Sequence, residues 1–443
     1  GAIYSYLVGD PGPPDWSREA IIYQIFPDRF HPGGSGSWRQ PVNVNGIYGG
    51  TLQGIRDNLD YIDDLGFNCL WLNPIFPDDT HHGYQARDYF HVNPRLGTLD
   101  DLEELVEESH RRGIRLLLDF AANHWSHEHP TFQSAVADRD SEYHDWYHWI
   151  EWPDRYESYH GIKSLPKLNV DFSAMRNHLL EAAGFWLDEA GFDGFRLDHA
   201  HGVSLDFWTD FRRAVKKLKP EAWIFGEVTD SPPRLLEFAG RLDGCLDFLL
   251  AQVLLDTFAS ETKSVTGFDA FLAGHDRFFP EYFSRPSFLD NHDMNRYLFI
   301  SGGDIRKVKL AALCQFTLSG PPIVYYGTEA GVGQERSVSG PGSHGLAESR
   351  QPMVWGAAQN DDLHRFYRWL IRLRRENPAL VHGGRRTVHL DEETRTYAYV
   401  RSTSEQQVTV AFNLSNRPQS IALSGHRFDL GPRSGDVYID PSV

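Results

Sequence analysis

The 443-residue sequence predicts an α/β protein: a (β/α)8 TIM barrel with a loop-rich insertion after strand 3 and a C-terminal antiparallel β domain. Three observations predict it. Eight short apolar runs alternate with longer amphipathic segments, polar residues recur at the ends of those runs, and the pattern turns to period two near the C-terminus.

The runs, in order, are AIIYQIF (20–26), FNCLWL (67–72), IRLLLDF (114–120), DGFRLD (193–198), AWIFGE (222–227), GCLDFLL (244–250), RPSFLDN (285–291) and PPIVYYG (321–327). Each is read as a buried strand, because it is rich in branched or aromatic residues and too short for a helix. Helices are expected between them over LDDLEELVEESHRRG (99–113), MRNHLLEAAGFWLDEAG (175–191) and RKVKLAALCQFTLSG (306–320). A doubly wound open sheet is the competing arrangement, but no glycine-rich phosphate loop follows the first strand.

Two regions break the alternation. Residues 123–172 form an excursion of about fifty residues rich in Trp, Tyr, His and Pro, long enough to be an inserted subdomain. After the helix expected over 360–377, residues 381–443 carry alternating runs such as TYAYVR (396–401) and QVTVAFNLS (407–415). The domains are therefore read as a catalytic barrel (1–122 and 173–380), an inserted subdomain (123–172) and a C-terminal β domain (381–443).

Composition narrows the partners. Hydrophobic residues make up 41% and charged residues 23%, the profile of a globular protein. A net charge of −18 argues against nucleic acid or an anionic membrane and leaves a neutral ligand as the natural expectation. The 12 Trp, 19 Tyr and 28 Phe suit sugars, whose rings present C–H patches beside hydroxyls, but they equally suit a large core. Cys69, Cys245 and Cys314 lie far apart within apolar runs and read as buried free thiols. No apolar run reaches membrane-spanning length, and GAIYSYLVGDPGPPDW lacks the form of a signal peptide, so the expected location is the cytoplasm. Oligomeric state is left open.

The strand ends carry the chemistry. Strand three ends with Asp119, Asn123 and His124, strand four with Arg196 and Asp198, strand five with Glu227, and strand seven with Asn291, His292 and Asp293. One carboxylate at a strand end could be a helix cap. A set around one barrel mouth, with an arginine and two histidines, is costly to bury unless it is used. Retaining cleavage of an acetal fits, since it needs a carboxylate nucleophile and a protonated carboxylic acid about 5–5.5 Å apart. Asp198 and Glu227, on adjacent strands, are the natural pair. Arg196, two residues before Asp198 on the same strand face, would hold Asp198 ionised.

The sequence resembles the α-amylase family of retaining α-glucoside-processing enzymes over essentially its full length. The resemblance rests on GFNCLWLNPIF (66–76), HGYQARDYFHVNPRLGT (82–98), DFAANH, GFRLD, FGE, FLDNHD and GPPIVYYGTE (320–329), all in the family's order. It implies Asp198 as nucleophile, Glu227 as general acid/base and Asp293 as the carboxylate that orients the distorted sugar. It also implies that His124 and His292 bond the sugar's hydroxyls, Tyr84 stacks on its ring, Arg196 supports the nucleophile, and Asp119 belongs to the surrounding shell. AIIYQIFPDRF (20–30) and SLPKLNVD (164–171) resemble the neopullulanase and cyclomaltodextrinase branch, whereas FLDNHDMNR (288–296) and YYGTEAG (325–331) look more like α-amylases and cyclodextrin glucanotransferases.

The sequence departs from the family at three places. His201-Gly202 stands where many amylases have a Lys-His pair on the acceptor side, so His201 is the residue expected to meet the acceptor sugar. Val228 and Thr229 follow Glu227, where cyclomaltodextrinases often have Trp. Thr51 stands where relatives with a calcium site carry an aspartate ligand, which argues against calcium there, while a second family site at the Asn123 position stays open. No cofactor is expected to be required. NHWSHEH (123–129) invites a zinc reading, but His124 already has a sugar-binding role by resemblance.

The expected function is retaining hydrolysis of α-1,4-glucosidic bonds in starch-type α-glucans, maltooligosaccharides or cyclodextrins through a covalent glucosyl-enzyme intermediate. A transglycosylase or glucoside isomerase of the same family shares that intermediate and is the alternative. A non-catalytic carbohydrate-binding relative is the remote one, since it has no need of three carboxylates.

Overall fold

The computed structural model describes residues 12–440 apart from residue 424. Residues 1–11, on which the signal-peptide reading largely rests, lie outside the described residues. Eight parallel strands form the barrel: β1 (Ile22–Ile25), β2 (Cys69–Leu72), β3 (Arg115–Phe120), β4 (Gly194–Leu197), β5 (Trp223–Gly226), β6 (Gly244–Cys245), β7 (Ser287–Phe288) and β8 (Pro322–Tyr325). Their spatial order follows the chain, with β1 between β2 and β8. A parallel bridge between Gly244 and Ser284, just before β7, closes the ring. Ile22, Cys69, Trp71, Leu117, Phe225, Phe288 and Ile323 fill the interior, so the barrel is a packed core rather than a pore.

The expected helices form as α1 (Leu99–Arg111), α2 (Ser173–Asp188), α5 (Ile305–Thr317) and α6 (Asp361–Glu376), and two more, α3 (Leu205–Leu218) and α4 (Val265–Phe278), lie between α2 and α5. α1 starts in a capping box between Thr98 and Asp101. One expected strand is mostly something else. Of GCLDFLL only Gly244 and Cys245 are extended, because Asp247 accepts the Leu250 N–H and begins a helix over Phe248–Leu254. A short apolar run does not distinguish the two outcomes by periodicity. RPSFLDN likewise contracts to the two residues of β7.

Between β3 and α2 lie a helix (Pro130–Ala137) and a hairpin (Trp149–Glu151 with Arg155–Tyr156). Phe132 packs against Tyr147, Tyr156 and Trp149, with ring centroids 4.8, 4.9 and 5.8 Å away. Much of the aromatic string 143–160 is therefore the core of this excursion, and Tyr159 is the member that turns to the barrel mouth, 4.5 Å from His124.

The C-terminal strands are β9 (Gly384–Asp391), β10 (Thr396–Ser402), β11 (Gln407–Asn413), β12 (Gln419–Leu423), β13 (His426–Leu430) and β14 (Ser434–Ile439). They form an antiparallel sheet in the order β9-β10-β11-β14 and a hairpin β12-β13, with a small core around Ala398, Ala411 and Phe428. Cys69, Cys245 and Cys314 are buried free thiols. Among the described residues no helix is long and apolar enough to cross a membrane.

Candidate active site

The ends of β3, β4, β5 and β7 converge at the barrel mouth, and one side chain organises them. Arg196, on β4, is fully buried. Its Nη1 donates to Asp119 Oδ1 (2.7 Å) and to Asp198 Oδ1 (2.9 Å). Its Nη2 makes an ion-pair contact with Glu227 Oε2 at 2.9 Å, at an angle that falls short of a hydrogen bond. Residues 196 and 198 share a strand face by the two-residue period, which is why one guanidinium reaches its own strand's terminal carboxylate. The backbone N–H of His199 donates to Glu227 Oε2 (3.0 Å), with His199 held at φ 43°.

A second network lies beneath. Tyr84 O–H donates to Asp119 Oδ2 (2.8 Å), and the Trp71 indole N–H donates to the same oxygen (3.1 Å). His292 Nε2 sits 2.6 Å from the Tyr84 oxygen, and the two rings stack at 5.5 Å. Gln24 Nε2 donates to His292 Nδ1 (2.8 Å), which leaves the His292 proton on Nε2, facing Tyr84 and Asp293 Oδ2 (3.0 Å). Asp119 is completely enclosed, so it holds Arg196 and Tyr84 in place and does not itself reach the cleft.

Electrostatics separate the carboxylates. Burial pushes the Asp198 carboxyl well above its ordinary range; Arg196 opposes this, and the nearby Glu227, Asp119 and Asp293 add to it. Asp293 goes the other way: burial raises it, but the His292 hydrogen bond and the charges of Arg350 and Arg196 outweigh burial and hold it well below the usual carboxylate range. One guanidinium, that of Arg196, is shared among three carboxylates, so its hold on Asp198 is divided with Asp119 and Glu227. His124 is pushed down to about 3 by burial and by His199, His82 and His160, and so it is a neutral hydrogen-bonding ring.

The structure brings together Asp198, Glu227, Asp293, Tyr84, Arg196, His292 and Asp119, with His124 at one side beside Tyr159. His201 stands apart on the exposed rim, its ring 4.1 Å from that of His199. Gly202 has a steric reason: a Cβ there would come within 2.3 Å of His199 Cδ2 and 2.6 Å of Asn123 Oδ1. The histidines of NHWSHEH diverge, His124 toward Tyr159 and His129 stacked on Trp125 at 3.6 Å. Thr51 is a helix N-cap, its hydroxyl accepting the Gly54 N–H and donating to the Pro32 carbonyl. A neutral hydroxyl so engaged does not fit a calcium ligand.

Sequence reasoning missed Arg350, Gln24 and Trp71. Gln24 carried a signal, as the one polar residue within AIIYQIF. Trp71 reads simply as core. Arg350 comes from an irregular stretch after β8, where nothing in the pattern marks it.

The chain matches the family model described as alpha amylase, catalytic domain, over residues 24–371. It is 36% identical to Alpha-amylase 2 of Dictyoglomus thermophilum, over 96% of this chain and 74% of that protein. It is 34% identical to Neopullulanase 2 of Thermoactinomyces vulgaris, over 93% and 72%. Among solved structures, the ligand-free cyclic α-maltosyl-(1→6)-maltose hydrolase of Arthrobacter globiformis superposes with a TM-score of 0.89 at 31% identity, covering 97% of this chain and 99% of that one. With the matched barrel and the carboxylates gathered at its mouth, the chain belongs to the α-amylase family and is a glycoside hydrolase of that type.

Proposed function

We propose that this enzyme hydrolyses α-1,4-glucosidic bonds of starch-type α-glucans, maltooligosaccharides or cyclodextrins with retention of anomeric configuration. The observation that carries the reading is the contact of one guanidinium, that of Arg196, with both Asp198 and Glu227. Two carboxyls held by one planar group suit the short separation that a retaining mechanism requires. The family and the activities named for the relatives support an α-glucoside as substrate.

In this reading Glu227 acts as the acid, delivering a proton to the glycosidic oxygen as Asp198 attacks the anomeric carbon. The bond to the leaving sugar breaks and a glucosyl ester forms on Asp198. Glu227, now a carboxylate, takes a proton from water, whose oxygen attacks the same carbon and releases Asp198. The hydrogen bond from Arg196 Nη1 favours negative charge on Asp198, and the His199 N–H aims Glu227. Asp293, held ionised, and neutral His124 bond the hydroxyls of the distorted ring. All of these groups are side chains or backbone of this chain, and the scheme calls on no cofactor.

Proton NMR of fresh maltotriose or amylose digests tests the proposal. The first product is expected as the α-anomer, which then mutarotates; a β-anomer appearing first overturns the mechanism. Glucose and maltose alone indicate hydrolysis, whereas products longer than the input assign the chain to glucosyl transfer.

A further inference from the structure

The floor of the barrel, opposite the active site, carries a second constellation. A cleft of about 310 Å³ opens between the floor and the C-terminal domain, lined by Arg18, Arg285, Arg385 and Arg401. Only Asp276 and Glu281 oppose these four arginines in its lining. Asp276 is already engaged, accepting from Arg385 Nε at 2.9 Å, and Arg385 also pairs with Asp269.

Arg401 is the unusual member. It is 1% exposed, its Nη2 donates only to the Gly383 carbonyl, and its Nε has no partner. Arg385 stands directly opposite it in the β9–β10 ladder, a like-charge cross-strand pair of a kind that destabilises a sheet. Arg285, just before β7, bonds a ring nitrogen of His275. Carboxylates act on these two arginines only through space, Asp247 and Asp276 on Arg285 and Asp276 on Arg401. Burial pushes both guanidiniums below their usual range. In a chain of net charge −18, four arginines line this cleft against two carboxylates.

We propose that this cleft binds a tetrahedral oxyanion, either inorganic phosphate or the phosphoryl group of a small phosphorylated metabolite. Planar guanidinium forks match phosphate oxygens with paired donors, and the cleft has room for more than a monatomic ion. The anion supplies the charge that Arg401 and Arg285 lack and relieves the Arg385–Arg401 opposition. Because these arginines come from both the barrel and the C-terminal sheet, the bound anion ties the two together. A ligand that binds only the folded protein raises its stability by mass action, so phosphate raises Tm.

Calorimetric titration of the full chain with inorganic phosphate, ionic strength held constant with sodium chloride, tests this. Saturable binding is expected, together with a phosphate-dependent rise in Tm. Arg285→Gln and Arg401→Gln are each expected to weaken binding by roughly tenfold or more while leaving maltotriose turnover unchanged. Arg285 is only partly buried, so its variant keeps the test decisive where Arg401→Gln fails to fold. A parallel titration with glucose 1-phosphate separates the sources: tighter binding than phosphate assigns a phosphorylated metabolite, weaker binding assigns the free anion. Absence of saturable phosphate binding, or wild-type affinity in folded Arg285→Gln, overturns the proposal.

Discussion

Arg350 Nη2 lies 2.9 Å from Asp293 Oδ1, and the same guanidinium donates from Nε to the His292 carbonyl at 2.8 Å. Arg350 thus fixes both the position of the third carboxylate and its charge. Arg350→Gln removes the positive charge and the fork while keeping most of the volume. Loss of a hydrogen bond to a charged group is worth about 1.5–3 kcal/mol, so kcat/KM is expected to fall by roughly tenfold to a hundredfold. The sign of the pH effect follows from Asp293, whose depressed carboxyl rises once Arg350 is gone. The Asp293 side-chain carboxyl, followed by carbon NMR across the acid range, is therefore expected to titrate at higher pH in the variant, and an unchanged midpoint would show that Arg350 does not set the charge on Asp293.

Glu227→Gln keeps the shape of the acid/base and removes its proton transfer. Turnover on maltooligosaccharides is expected to fall by about 10²–10⁴-fold, the usual worth of a positioned proton donor. Asp198→Asn abolishes the covalent step and should be at least as severe. Both changes leave the barrel core untouched, so thermal melts and circular dichroism should match a folded protein. Near-wild-type turnover in either folded variant would remove that residue from the mechanism.

Why some of this was legible in the sequence and some was not follows from the kind of signal each residue leaves. Barrel strands are buried on both faces, so runs such as IRLLLDF announce themselves, and a carboxylate at the end of one is conspicuous. Asp119, Asp198 and Glu227 were readable for that reason. Gln24 was missed although it left a signal, since an amide inside a buried strand needs partners, which it finds in His292 and Asn73. Arg350 left none, because it reaches the site from an irregular segment with neither period nor cap. The helix over Phe248–Leu254 hid inside an apolar run because its cap, Asp247, looks like one more strand-end carboxylate. The aromatic string 143–160 stayed ambiguous for a similar reason: packing against Phe132 and facing the cleft draw on the same residue types.

Gly202 is the departure from the family that the geometry explains. A methyl group there meets the His199 ring and the Asn123 amide oxygen, and Asn123 is anchored because its carbonyl accepts the Leu168 N–H. His199 has to give way, and its backbone N–H is what aims Glu227. Gly202→Ala is therefore expected to lower kcat by roughly tenfold to a hundredfold, the scale on which small misplacements of catalytic groups act. KM should change less than kcat, because the displaced group is the proton donor. Unaltered kcat in a folded Gly202→Ala protein would mean that the His199 contact does not position Glu227.

Asp193 and Asp198 begin and end the same stretch, yet strand direction gives them opposite duties. Asp198 faces the mouth, whereas Asp193 lies at the floor, where its carboxylate takes the Leu116 N–H (3.0 Å), Lys219 Nζ (3.0 Å) and His110 Nε2 (2.8 Å). Burial alone would raise this carboxyl, but His110, Lys219 and the Leu116 amide outweigh it and hold it down to about 2. A depressed carboxyl stabilises the fold above its unfolded pKa, and that stabilisation is lost as pH falls through the folded value. The shift from the ordinary value corresponds to about 2 kcal/mol, fully present above roughly pH 4 and gone near pH 2. Asp193→Asn should therefore lower unfolding free energy by about that amount at neutral pH, with catalysis of the folded protein unchanged. The gap between wild type and variant in chemical denaturation should close as pH drops through that window. A gap independent of pH would assign the loss to hydrogen-bond geometry instead of charge.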